Sequence, residues 1–161
     1  MHDVPATVVN ELLALDNQIC FALHSTARQL VRTYRPVLEE LDLTHPQYLV
    51  MLVLWGWARE RERHPTVKAL GEKLLLDSGT LTPLLKRLQS RGLITRTRSS
   101  ADEREVLVQL TRAGQALKKR AVRVPMTLLE RSRMPLGELV ELREGLKRLR
   151  SVLGPAAATA E

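Results

Sequence analysis

The chain holds one cysteine, Cys20, and two ionisable residues at four-residue spacing from it, Asp16 and His24. On a continuous helix these three stack along one face. A protonated His24 would favour the thiolate and Asp16 would oppose it, and the sequence leaves that balance open. A lone cysteine is either an inert small core residue or a reactive thiol. From its pattern alone Cys20 reads as a packing residue, because free cysteine is commonly buried. A single cysteine excludes an intrachain disulfide, and with only four histidines in the chain it argues against a structural zinc site.

A second chemistry, recognition of a polyanion, lies between Thr66 and Leu110. Val67, Leu70, Leu74 and Leu75 recur at helical spacing and give way to Asp77-Ser78-Gly79, which breaks one helix and can cap the next. The following helix, about 79–90, puts Leu81, Leu84, Leu85 and Leu88 on one side and Thr80, Thr82, Lys86, Arg87 and Gln89 on the others. Pro83 lacks an amide hydrogen and fits best near the first turn, which sets the helix start near position 79. Arg91-Gly92 ends it. The runs 93–98, carrying Arg96 and Arg98, and 106–110 then alternate as strands around a hairpin tip, 99–105, with Asp102 and Arg104 two apart. The unit 66–110 therefore reads as a winged helix-turn-helix, one helix for a major groove and a basic hairpin for backbone or minor groove. Taken alone, Lys86 and Arg87 would be a solvated cationic surface, and Asp102 with Arg104 a surface ion pair of little worth. Together with the motif they favour double-stranded DNA.

The remaining sequence must position these two sites. A chain of 161 residues, 44% hydrophobic, reads as one domain over 1–161, and its net charge of +7 suits a polyanionic partner. No apolar run is long enough to span a bilayer and no leader pattern is present at the N-terminus, so a cytoplasmic protein without a membrane partner is expected. Val8, Leu12, Leu15, Ile19, Leu23 and Leu30 predict a long amphipathic helix over 7–32. Pro36 predicts the start of a short helix, and Thr44 or His45 the cap of a largely apolar one from Pro46 to Glu60. The charged run Arg59 to His64 is a solvated end. Thr111 opens another helix that Pro125 can kink, Met134-Pro135 breaks it, and Leu139, Leu142, Leu146, Leu149 and Leu153 form a short heptad seam. The fold class is mainly α with a small β wing. The segments 7–32 and 111–153 are expected to form a two-fold homodimer, leaving 154–161 as a flexible tail.

This order of elements resembles the MarR family of dimeric transcription regulators. The blocks Leu15-Asp16-Asn17-Gln18-Ile19-Cys20-Phe21-Ala22-Leu23, Tyr34-Arg35-Pro36, Pro46-Gln47-Tyr48-Leu49-Val50-Met51, 76–88 and Asp102-Glu103-Arg104 resemble its OhrR branch, repressors that sense organic hydroperoxides. The resemblance spans roughly 12–117. It implies that Cys20 is the peroxidatic cysteine, that Tyr34 hydrogen-bonds to its sulfur across or near a dimer interface, and that oxidation to sulfenic acid begins release of DNA. It further implies that Ser78, Thr80, Thr82 and Lys86 face base edges and nearby phosphates, that Arg87 takes phosphate, and that Asp102 orients Arg104 for the minor groove of a pseudo-palindromic operator.

Two departures stand out. His24 and His45 occupy positions where the branch usually has tyrosine, and imidazole, unlike phenol, can carry positive charge near neutral pH. No second cysteine exists to resolve a sulfenic acid, so a small external thiol or further oxidation is its expected fate. A metal on Cys20, His24 and His45 is not expected, since a fourth ligand is not evident, nor is a cofactor. The alternative functions are a MarR-type regulator gated by a non-covalent ligand with Cys20 structural, a thiol peroxidase, which lacks a route to turnover, and a membrane-surface protein.

Overall fold

Helices supply most of the structure, and local side-chain chemistry explains several of their ends. The computed structural model describes residues 6–60, 65–100 and 102–154. Its first helices are α1 (Ala6–Leu13) and α2 (Ile19–Glu40), separated by a 3-10 turn, Leu15–Asn17. The single helix expected over 7–32 is thus divided. The Asn17 side-chain amide donates to the Glu11 carbonyl at 2.9 Å and that of Gln18 to the Leu12 carbonyl, so side chains take carbonyls a continuing helix would use. Asp16 lies in the 3-10 turn and does not share a helix face with Cys20 and His24. At Pro36 the opposite correction applies. The expected helix start does not occur there, and α2 continues through the proline to Glu40. Pro36 removes one amide, but Tyr34, Leu38 and Leu41 are buried around it and hold the segment on the core.

The next helix, α3 (His45–Glu60), lies centrally, with Tyr48, Val50, Met51, Leu54 and Trp55 buried. Gln47 Oε1 accepts from the Thr44 amide at 2.8 Å and satisfies a donor at its start. Helices α4 (Val67–Leu74) and α5 (Ser78–Ser90) follow, each with a side-chain cap, Thr66 accepting from the Ala69 amide and Asp77 from that of Thr80. Strands β1 (Ile94–Arg98) and β2 (Val106–Leu110) pair antiparallel with Ile94 opposite Leu110 and Arg98 opposite Val106. The Val108 amide also donates to the Pro65 carbonyl at 2.7 Å, which anchors the segment ahead of α4 to the hairpin.

Three helices follow among the described residues, α6 (Arg112–Ala121), α7 (Arg123–Ser132) and α8 (Leu136–Leu153). The kink expected from Pro125 is a break at Val122, between α6 and α7. A proline ring crowds the carbonyl four residues earlier, here that of Ala121, the last residue of α6. The core joins α3 to α4, α5 and the hairpin through Met51, Leu70, Leu81, Leu85, Leu88, Ile94 and Val108, all at most 1% exposed. On the seam of α8, Leu142, Leu146 and Leu153 are exposed, as are Leu12, Leu13 and Leu15 near the N-terminus, so these rows do not cover the chain's own core. Among the described residues no helix is long and apolar enough to cross a membrane. Residues 155–161 of the expected tail and 61–64 of the charged run lie outside the described residues.

Candidate nucleic-acid interface and thiol site

Helix α5 turns its leucines inward and its polar side out, as 3.6-residue periodicity requires. With Leu81, Leu85 and Leu88 buried, Lys86 lies near the centre of the opposite face beside Gly79 and Pro83. Thr82 and Arg87 flank that face, and Ser78 is exposed in the first turn. Thr80 is exposed too, but its hydroxyl donates to Asp77 Oδ2 at 2.7 Å while its amide donates to Oδ1 at 2.8 Å. These bonds, the hydroxyl's first, hold the Asp77 carboxyl below its usual pKa. The helix begins at Ser78, one residue from the expected start, and Pro83 falls in its second turn rather than its first.

The wing is attached to α5 by a contact that the sequence did not indicate. Arg96 Nε lies 2.6 Å from Gln89 Oε1, so this arginine braces the hairpin against the helix. Arg98 is exposed. At the tip, Asp102 Oδ1 accepts from the backbone amide of Arg104 at 2.9 Å, while the Asp102 carbonyl accepts from the Glu105 amide. The carboxylate therefore fixes the turn that presents Arg104 through the backbone, and the Arg104 side chain is left exposed.

The thiol candidates fall into two groups. Cys20 is the second residue of α2 and is exposed, contrary to the packing reading, which rested on how commonly free cysteine is buried. His24 follows one turn later, also exposed. Tyr34 lies 14 residues along the same helix, about 21 Å away at 1.5 Å per residue, so one chain cannot bring its phenol to Cys20. Tyr34 is instead buried near His45, ring centroids 6.3 Å apart. Burial raises the pKa of Tyr34 and lowers that of His45, and Tyr48 beside them is pushed up to about 12, first by burial and then by the charge of Tyr34. Among the described residues no group of three metal-ligating side chains converges. A shallow cavity of about 320 Å³ between α3 and α6–α7, walled by Tyr48, Leu52, Trp55 and Pro125 with Arg59 and Lys118 among its lining, includes none of the thiol candidates.

The depressed pKa of His45 has a consequence in solution. As pH falls below the ordinary value of 6.5, the unfolded chain takes up this proton before the folded one, so stability present above 6.5 is lost as pH falls towards the folded pKa. Thermal unfolding of wild type and His45→Gln across this range should show the wild type losing more on acidification. Parallel curves would remove His45 as the cause.

Comparison with known proteins bears on both sites. Residues 32–121 match the SarA/Rot family of transcriptional regulators. The chain is 47% identical over 141 residues to the organic hydroperoxide resistance transcriptional regulator of Bacillus subtilis, covering 88% of this chain and 92% of that one. The chain belongs to the MarR family of transcription regulators, in its OhrR branch. This MarR-family chain is also 43% identical to the HTH-type transcriptional regulator TtmR of Methylorubrum extorquens, covering 92% of this chain and 73% of that one. Its fold superposes on reduced AbfR of Staphylococcus epidermidis bound to DNA with a TM-score of 0.72 and 31% identity, covering 92% and 99% of the two chains. The mainly helical fold with its two-stranded wing is thus that of the winged-helix regulators.

Proposed function

We propose that this protein is a transcriptional repressor that binds double-stranded DNA as a homodimer and releases it when an organic hydroperoxide oxidises Cys20. The 47% identity to a regulator of organic hydroperoxide resistance carries this reading, in a chain whose one thiol is exposed on the first turn of α2. The likeness to AbfR, reduced and bound to DNA, supports the DNA side. Two copies of α5 enter successive major grooves of a pseudo-palindromic operator through Ser78, Thr82 and Lys86, with Thr80 beside them and Arg87 on phosphate. Arg104, fixed by Asp102, reaches the adjacent minor groove, and Arg96 and Arg98 line the wing behind it.

At the thiol, the Cys20 thiolate attacks the terminal oxygen of the hydroperoxide. The O–O bond breaks, the alkoxide takes up a proton and leaves as the alcohol, and the sulfur becomes a sulfenic acid. A small external thiol then condenses with it, giving a mixed disulfide and water. The separation of about 21 Å along α2 means that Tyr34, with His45 beside it, reaches Cys20 only from a second chain. His24, one turn from the sulfur, is the donor supplied within the same chain. Asp16 stands in the turn ahead of the helix. Oxidation then shifts the dimer between two arrangements, and each 1.4 kcal/mol or so of coupling changes operator affinity about tenfold. The chain acts as a regulator in the cytoplasm, not as an enzyme.

The deciding experiment is anisotropy of a labelled duplex taken from upstream of the protein's own gene, titrated with reduced protein before and after cumene hydroperoxide. Tight binding that weakens at least about tenfold on oxidation is expected. Equal affinity after mass spectrometry shows the thiol fully modified refutes the proposal.

A further inference from the structure

The turn joining α2 to α3 receives three arginines from distant parts of the chain. Arg91, which closes α5, places Nε 2.9 Å from Asp42 Oδ2, donates from one terminal nitrogen to the Asp42 carbonyl, and sets the other 3.2 Å from the Leu41 carbonyl. From the C-terminal half, Arg120 donates to the Glu40 carbonyl at 2.8 Å, and Arg123 meets Glu40 Oε2 at 2.6 Å. The last turn of a helix carries unpaired carbonyls and the negative end of its dipole, so cations satisfy both. Here those cations tie α5, α6 and α7 to one short turn.

Arg91 is the best enclosed of the paired arginines at this turn, its side chain 27% exposed against 64% for Arg123. Its planar fork spends three donors on one turn whose Asp42 is held at φ 53°, a left-handed conformation that Asp tolerates better than most residues. Apart from the Arg96–Gln89 hydrogen bond to the wing, α5 is held largely by Leu81, Leu85 and Leu88, whose burial is non-directional, whereas hydrogen bonds fix angle and register. The turn also links two of the thiol candidates that the fold brings together, Tyr34 on α2 and His45 at the start of α3.

We infer that Arg91 is a positioning residue for operator binding, and that residues 40–42 form the joint through which a rearrangement of α2 redirects α5. This rests on the function proposed above. Arg91 itself makes no base or phosphate contact; it sets the pitch at which Lys86 and its neighbours meet the groove.

The test compares Arg91→Met, Arg91→Lys and Asp42→Asn with wild type on the same duplex, reduced and oxidised, over a series of salt concentrations. Reduced Arg91→Met should bind about tenfold more weakly, with an unchanged salt slope, and its ratio of reduced to oxidised affinity should shrink about fivefold. Arg91→Lys should recover only part, because a point charge cannot serve three acceptors. Should Arg91→Met fail to fold, Asp42→Asn decides, since Asp42 is 84% exposed and asparagine tolerates its backbone conformation. A loss of about threefold is expected there, and none overturns the inference. Unchanged affinity and release in a folded Arg91→Met also overturn it. So does a salt slope reduced by about one, which would make Arg91 a phosphate contact. A wild type that binds but is not released by oxidation refutes the sensing function, and the affinity comparison then still decides whether Arg91 positions α5; a wild type that does not bind the duplex overturns both.

Discussion

Cys20→Ser protein should bind the operator as the reduced wild type does and remain bound when an organic hydroperoxide is added. The hydroxyl is close in size to the thiol, and position 20 is exposed on the first turn of α2, so the substitution has no packed core to disturb. Serine does not form the sulfenic acid on which release depends. A response of about tenfold or more in wild type should therefore fall to none. Anisotropy with intact mass measured in parallel makes the comparison direct. Release of Cys20→Ser by hydroperoxide would transfer the effect to another oxidisable group, such as one of the four methionines, and remove Cys20 from the mechanism.

The largest loss of stability is expected at a glycine. A Cβ on Gly114 would stand 2.0 Å from the Leu93 carbonyl oxygen and 3.0 Å from its carbon, atoms of backbone that cannot swing aside. The surroundings also resist a shift. The Gly114 amide donates to Thr111 Oγ1 at 3.0 Å, its carbonyl accepts the buried Trp55 indole N–H at 2.9 Å, and the Thr111 amide donates to that same Leu93 oxygen at 3.1 Å. Gly114→Ala must break several of these bonds at the point where α3, α6 and the base of the wing meet. A loss above about 4 kcal/mol is expected, against a total of about 5–15 kcal/mol for an ordinary domain. Urea unfolding followed by circular dichroism should show the variant largely unfolded without denaturant. Trp55→Phe, which leaves the Gly114 carbonyl without its donor, should lose about 1–3 kcal/mol. A wild-type midpoint for Gly114→Ala would show that the close approach relaxes freely.

What could be foreseen from sequence followed periodicity. The leucines of α5 recur every three or four residues, so Lys86 on the outer face was legible, and the alternation after Gly92 located the hairpin to within a residue. Deviations arose where one side chain outcompeted a pattern. Asn17 and Gln18 cut the N-terminal helix by taking its carbonyls, whereas Pro36 failed to cut α2 because buried neighbours outweighed its missing amide. Cys20 stands beside Ile19 of an apolar seam, and that spacing could not tell a covered side chain from the exposed one found on the first turn of α2. Contacts such as Arg91 with Asp42, Arg96 with Gln89 and Gly114 beneath Leu93 have no period along the chain. They exist only once the elements have docked.

The uncovered leucines of α8 bear on how much protein the cell must hold. In a single chain Leu142 and Leu146 stay in water, and a second copy laid over them would gain by their removal from it. In such a pair, folding and association would draw on one equilibrium, and the melting temperature would climb with protein concentration. Scarcity of the regulator would lower not only the occupancy of its site but the durability of every molecule that remains.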